Sequence, residues 1–351
     1  AHSIGAPVRP GEVNIFIVNG SYVHFRDFEV RNSDPSRIKA RTIYNPDGTW
    51  TVTHSSLRPL GIYVFGVNNK FINLIIRNTG DAYGIWSTSA NTEIYGNFIY
   101  NNGWISPLRG HGHGVYAQNK NGYQYIHDNV FFNNFFVGLQ IFGTQGAPLS
   151  GFRVSGNLFL NDGTIFEGVG GNAAKDIEFT KNYFYGEDSY VSNPPPTQIS
   201  GKDCNVLNCS ADELANYVKI TNNYGFSENS TQVTDGTVKK NPVGLDIFYQ
   251  PNKEQLGRGL IYVYNYDKKD SVSVSVSKIL KDQSRLNELA NKDYEIYDIQ
   301  NLAGEPVKRG TYNAGVIDLD MRLTKLEPVE GYAINSQTYP TNRNGHLLPV
   351  L

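Results

Sequence analysis

The chain has 351 residues, of which 39% are hydrophobic, 13% aromatic and only 18% charged, with a formal net charge of −2. That length supports one large domain plus a smaller one, each with its own core. Near-neutrality argues against nucleic acid or an anionic membrane as partner, since both select a basic patch. Low charge with 35 glycines and 23 tyrosines suits an all-β extracellular protein rather than a disordered chain.

No apolar run approaches the roughly 18 residues of a membrane span, and no signal-peptide pattern opens the chain. Ala1 is therefore read as a mature or trimmed N-terminus, and the expected location is extracellular, after secretion. The two cysteines, Cys204 and Cys209, lie close together in a polar stretch. A local disulfide is the favoured reading. Sequons stand at Asn19, Asn208 and Asn229 but carry little weight.

In chain order the first predicted elements lie within Tyr22-to-Asn32 (YVHFRDFEVRN). A long insertion over 33–57 follows, with a hairpin turn expected at Asn45-Pro46-Asp47-Gly48. Two kinds of short segment then alternate. One kind is Gly61-to-Gly66, Gly84-to-Ser89, Gly114-to-Asn119 and Gly138-to-Gly143, continued less regularly by Ile165-to-Gly170. The other is Phe71-to-Asn78, Glu93-to-Asn101, Tyr125-to-Asn133, Arg153-to-Asn161, Glu178-to-Gly186 and Lys219-to-Gly225. A second insertion, 187–216, carries Pro194-Pro195-Pro196 and the cysteines. From about residue 243 the repeat stops. Period-two segments such as Val272-Ser273-Val274-Ser275-Val276 and Ile317-Asp318-Leu319-Asp320 then read as half-buried antiparallel strands.

Self-similarity at such a period is the mark of a solenoid. In one column stand Asn97, Asn129, Asn157, Asn182 and Asn223, with Asp27 and Leu74 in the earlier coils. Four residues on come Asn78, Asn101, Asn133 and Asn161. Asparagine at a recurring bend can bond the backbone, tolerate a left-handed conformation and bond its copy in the next coil. The segments between are apolar, β-branched or aromatic, as strands covered on the inside must be. The expected fold is all-β: a right-handed parallel β-helix over 1–240, an antiparallel β-sandwich over 243–337 and a tail over 338–351.

Alternation within the glycine-led strands sends Ile62, Ile85, Val115, Leu139 and Phe166 inward. Tyr63, Trp86, Tyr116, Gln140 and Glu167 then form one outer row. Three positions before each glycine stand Arg58, Asp81, His111, Phe135 and Asp162, which makes Asp81 and His111 expected neighbours. The densest set of reactive side chains is Arg109-Gly110-His111-Gly112-His113-Gly114-Val115-Tyr116-Ala117-Gln118-Asn119. Its glycines could equally serve the bend of the coil, with both histidines merely solvated. His-x-His lacks a third metal ligand, so no metal site is assigned.

Asp81, His111, Tyr116, Asp162 and Glu167 are thus the candidate catalytic residues. Arg58, Tyr63, Trp86, Arg109, His113, Gln118 and Gln140 are the candidate substrate contacts. Aromatic faces on an outer wall stack on sugar rings, and carboxylates with a histidine supply acid, base or nucleophile.

The asparagine-rich coils with G-H-G-H-G-V-Y-A-Q-N resemble, over about residues 12–235, bacterial right-handed β-helix proteins related to pectate lyases and polygalacturonase-like hydrolases. The resemblance implies a carbohydrate-active enzyme. The aspartate motifs of polygalacturonases are missing. So are the Arg-x-Pro-x-x-Arg element and acidic calcium cluster of the commonest pectate lyases, so no catalytic residue carries over by motif. The C-terminal strands resemble the accessory β-domains of glycoside hydrolases, and no catalytic group is expected there.

The favoured reaction is glycoside hydrolysis by two carboxylates drawn from Asp81, Asp162 and Glu167. A polysaccharide lyase is the alternative: Tyr116 or His111 would remove the proton beside a uronate carboxylate, and Arg58 or Arg109 would neutralise that carboxylate. A non-catalytic binding module or adhesin is the third reading. The expected partner is a polysaccharide or oligosaccharide, and the expected state is a monomer. No cofactor is expected, with calcium as the one admissible ion.

Overall fold

The computed structural model describes residues 14–33, 41–44, 46–47, 50–53, 58–103, 112–135, 137–143, 149–160, 162, 164–167, 175–185, 191–192, 197–199, 202–204, 218–226, 236–238, 243–279, 287, 289–313 and 315–322. Within 1–238 three parallel sheets are built from the repeat. The first sheet orders the strands Asn14–Val18, Leu60–Val64, Tyr83–Ile85, Val115–Ala117, Leu139–Phe142, Thr164–Glu167 and Val191–Ser192. The second orders His24–Arg26, Lys70–Ile72, Thr92–Tyr95, Gln124–His127, Ser150–Ser155, Lys175–Thr180 and Val218–Thr221. The third orders Glu29–Arg31, Ile75–Arg77, Phe98–Tyr100, Val130–Phe132, Leu158–Leu160, Tyr183–Tyr185, Asn223–Phe226 and Gly236–Val238. Each pass through the three sheets is one coil of a parallel β-helix, as expected.

Inward side chains make one continuous core. Phe131, Phe159 and Phe184 stack along it, with ring centroids 4.8 and 5.0 Å apart. Identical residue types stacked one coil above another bury apolar area that a single coil could not cover alone.

The bend from the second sheet to the third is two residues long, and its chemistry repeats. Its first residue has positive φ: Asp27, Asn73, Gly96, Asp128, Gly156, Lys181 and Asn222. The second is the ladder asparagine. Asn97 donates its backbone N–H and its Nδ2 to Asn129 Oδ1, at 2.9 and 3.1 Å. Asn129, Asn157 and Asn182 repeat both bonds to the next asparagine, ending on Asn223. Each Nδ2 also reaches a carbonyl one coil back, such as Asn129 to Ile94 at 2.9 Å. The ladder asparagines thereby meet one another's backbone N–H and side-chain amide groups inside the protein.

Two details differ from the sequence reading. The ladder asparagines are not left-handed; the residue before each one is. In the first coil the register Arg26 opposite Ile72 puts Asp27 level with Asn73, so Asp27 belongs to the left-handed column and Phe28 takes the ladder place. Asn78, Asn101 and Asn133 do adopt positive φ, while Asn161 lies outside the described residues.

The insertion after the first coil holds the expected hairpin, Arg41–Tyr44 paired with Trp50–Thr53. The later insertion contributes Val191–Ser192 to the first sheet and a small hairpin, Thr197–Ile199 with Lys202–Cys204. Cys209 lies outside the described residues, and the disulfide reading with it.

The chain divides near Val238. Beyond it, antiparallel pairs join Leu245–Pro251 to Gly259–Asn265, Ser271–Ser275 to Val316–Asp320, and Asp293–Ile296 to Lys308–Thr311. Val263, Val272, Val274, Ile317 and Leu319 form their core, the alternating pattern having placed one face inward. Residues 323–351, including the expected tail, lie outside the described residues.

Candidate active site on the outer face of the first sheet

Register decides which outer side chains are neighbours. Ile62, Tyr83, Val115 and Leu139 are level with one another. The outer row is therefore Tyr63, Gly84, Tyr116 and Gln140, not the row with Trp86 and Glu167 that aligning the glycines implied. Coil two was displaced by two residues, because Ala82 rather than Gly84 occupies the level of Gly114. The strand ending in Glu167 was displaced equally, since Phe142 pairs with Glu167. A two-residue slip keeps the in–out parity. Ile62, Ile85, Val115 and Leu139 are accordingly buried, and Trp86 does stand outside, one pleat further along the strand.

Gly84 has a specific use. A Cβ there would lie 2.7 Å from Tyr63 Cζ, so the Tyr63 ring lies across the bare backbone. Phe65 stacks on Trp86 at 5.7 Å, and Tyr63 meets Trp86 edge-on at 6.4 Å. With Trp86 39% exposed, these rings form an aromatic platform. Further up, Tyr116 stacks on Phe142 at 5.6 Å.

The same slip changes the partner of Asp81. Ala82 N–H donates to the His113 carbonyl at 2.9 Å, which puts Asp81 level with His113 rather than His111. Asp81 Oδ1 accepts from the backbone N–H of Gly112 at 3.0 Å, from that of His113 at 3.0 Å and from His113 Nδ1 at 2.9 Å. An ionised carboxylate only accepts, so the imidazole donates to it from Nδ1. The imidazole meets the Tyr116 ring edge-on at 5.3 Å. Both partners are sheltered, with side chains 13% (Asp81) and 8% (His113) exposed.

The other candidates fall elsewhere. Asp162 Oδ2 accepts from Asn134 Nδ2 at 2.8 Å, ending a second buried ladder that runs Thr79, Asn102, Asn134, Asp162. It lies three coils from Asp81, about 14 Å at one strand spacing per coil. Arg58 is 1% exposed and turned inward, its Nη1 donating to the Asn101 carbonyl at 2.9 Å. Burial lowers its pKa to about 10. Gln118 and Gln140 are buried. Arg109, His111 and the side chains of Phe166 and Glu167 lie outside the described residues.

Residues 14–191, half of the chain, match the family described as right handed beta helix region. The chain belongs to the right-handed β-helix family. No curated protein and no solved structure matches it.

In this β-helix the signal that could have found the Asp81–His113 pair was Ala82, a small residue standing for the glycine that opens the other strands. Among the described residues no group of three or more His, Cys, Asp or Glu side chains is placed to hold a metal ion. Among them, too, no helix is long and apolar enough to cross a membrane.

Proposed function

We propose that this right-handed β-helix protein is a secreted polysaccharide lyase that cleaves a uronate-containing chain by β-elimination on the outer face of its first sheet. The observation that carries the reading is the bond from His113 Nδ1 to Asp81, with Tyr116 against the imidazole. Asp81 holds the tautomer, so His113 Nε2 is the base that takes the sugar C5 proton. The electrons of that C–H bond form the C4–C5 double bond, and the glycosidic oxygen leaves C4 with its bonding pair. Tyr116 gives that oxygen its proton and regains one from the imidazolium. The Phe65–Trp86 platform offers a stacking surface to a neighbouring sugar ring.

Hydrolysis by paired carboxylates is the weaker reading. Carboxyl groups of glycosidases stand roughly 5 to 9.5 Å apart, and Asp162 is further away and engaged in a ladder. Arg58, considered for the uronate carboxylate, is committed to backbone carbonyls instead.

The test is incubation with a panel of acidic and neutral polysaccharides, reading both reducing ends and the ultraviolet absorbance of unsaturated uronates. The expected result is both signals rising together on an acidic polymer. Reducing ends without absorbance would make the protein a hydrolase, and binding without product a recognition module; either outcome ends the lyase reading.

A further inference from the structure

Beneath the Asp81–His113 pair lies a buried cation that the proposed chemistry does not use. Arg58 sits just before the strand Leu60–Val64 and is 1% exposed. Its Nη1 donates to the carbonyls of Asn101 at 2.9 Å and Gly103 at 3.4 Å, reaching from one coil to the turn that closes a later one. A buried guanidinium is costly to desolvate, and an apolar side chain would fill the same volume at lower cost. Packing alone does not explain an arginine here.

What the arginine holds is the wall against which the site is built. Gly103 and Gly112 both have positive φ, 114° and 103°. They pack back to back: a Cβ on Gly112 would collide with Gly103 Cα and come within 2.8 Å of Phe135 Cβ and 2.9 Å of the Asn102 carbonyl. No side chain separates them, so any displacement of residues 101–103 passes directly to Gly112. Gly112 N–H and the adjacent His113 N–H are the two backbone donors on Asp81 Oδ1. The same turn is pinned from below by Gly103 N–H to the Thr79 carbonyl, 2.8 Å, two residues before Asp81. Arg58, residues 101–103, Gly112 and Asp81 thus form one chain of short contacts that ends on the imidazole.

We propose that Arg58 is a positioning residue for His113: its bonds to the Asn101 and Gly103 carbonyls hold the turn that seats Gly112, and so keep the His113 ring on Asp81 in a single tautomer. The inference rests on the reading of His113 as the proton-transfer group, yet its first readout needs no substrate.

The experiment is ¹⁵N NMR of the labelled histidine rings in the full chain, comparing wild type, Arg58→Lys, Arg58→Met and Asp81→Asn. Wild-type His113 is expected to show a protonated Nδ1 and a bare Nε2, and Asp81→Asn to lose that distinction. Arg58→Met is expected to average the two nitrogens, with Arg58→Lys between it and wild type, while the backbone amides of Asn97 and Asn129 keep their shifts. A merely structural arginine would move the ladder amides and not the ring selectively. Wild-type ring shifts in folded Arg58→Met overturn the inference; if that variant does not fold, wild-type ring shifts in Arg58→Lys overturn it. On any polymer that is cleaved, Arg58→Met should lower kcat about tenfold with KM within twofold, the pattern of a lost transition-state alignment. A wild-type protein that cleaves nothing but shows the expected ring shifts would end the lyase reading and leave the positioning of His113 standing.

Discussion

His113 and Asp81 form one hydrogen-bonded pair, and the proposed chemistry rests on both. His113→Ala removes the proposed base, and Asp81→Asn removes the charge that holds its tautomer. Each is expected to lower kcat by two or more orders of magnitude in unsaturated-uronate release, and His113→Ala also to lower the melting temperature, because it leaves the sheltered Asp81 carboxylate short of a bond. Asp81→Asn should also cost stability, because the carboxylate accepts three bonds on one oxygen.

A second titrating group, on the second sheet, gives a pH signature of its own. Glu93 accepts from His127 Nε2 at 2.9 Å and from Lys70 Nζ at 2.7 Å. The His127 bond first, then Lys70, pulls its pKa from 4.5 to about 2 against the opposing effect of burial. A carboxylate depressed in the folded state contributes stability above its unfolded pKa and loses it as pH falls through the folded one. The stability difference between wild type and Glu93→Gln should therefore shrink as pH falls from 4.5 to about 2. Its size should be ~1 kcal/mol, the scale of a partly exposed ion pair. Urea denaturation across that range checks it; a difference independent of pH would show that the pair is not coupled to folding.

At the scale of the element, the two-residue bend between second and third sheets sets the register of every coil. Asn129→Ala leaves the Asn97 N–H and the Ile94 carbonyl buried without their bonds. Losses of this kind run to about 1–3 kcal/mol for each buried group, so a destabilisation of ~3 kcal/mol is expected in chemical denaturation. Lys181 occupies the left-handed place that Gly96, Gly156 and Asn222 fill in other coils. A β-carbon is unfavourable there by about 1–2 kcal/mol, less for asparagine, whose side chain bonds locally. Lys181→Asn should raise stability by ~0.5–1 kcal/mol, visible as a higher melting temperature. An unchanged or lowered melting temperature would mean that the Lys181 side chain contributes more than its backbone strain costs.

These bends were readable in the chain as a column of asparagines, because a buried polar side chain repeated at one level needs a partner above and below. What misled the alignment was Gly84. Glycine recurs in this sequence for three different reasons: to open a strand, to turn left-handed and to admit the Tyr63 ring. Matching glycine to glycine therefore paired positions with unlike roles. Asp162 stands in line with Asn102 and Asn134 as a ladder member, and in the chain only its charge set it apart.

Across the whole molecule, the two units have separate cores. Ile62, Phe131, Phe159 and their neighbours serve the β-helix, and Val263, Val274 and Leu319 the C-terminal strand pairs. Val274 is fully buried, so Val274→Ala should cost on the order of 1–3 kcal/mol locally. Hydrogen exchange is the measurement: amides of Val272 and Leu319 should lose protection while those of Asn129 and Asn157 keep theirs. Equal loss in both sets would show that the units unfold as one.

The sequence by itself determined the class of fold, the alternation of two kinds of segment in each coil, the inward residues of the glycine-led strands and the asparagine ladder. Each of these rests on a period, and a period survives any loop length. Only the tertiary structure decided that Asp81 meets His113, that Arg58 turns inward and that Asp162 ends a ladder. Such contacts join coils through segments of unequal length, from 23 residues between Leu74 and Asn97 to 41 between Asn182 and Asn223. Which side chains come level across them is set by hydrogen-bond register and steric fit, and neither leaves a periodic trace in the chain.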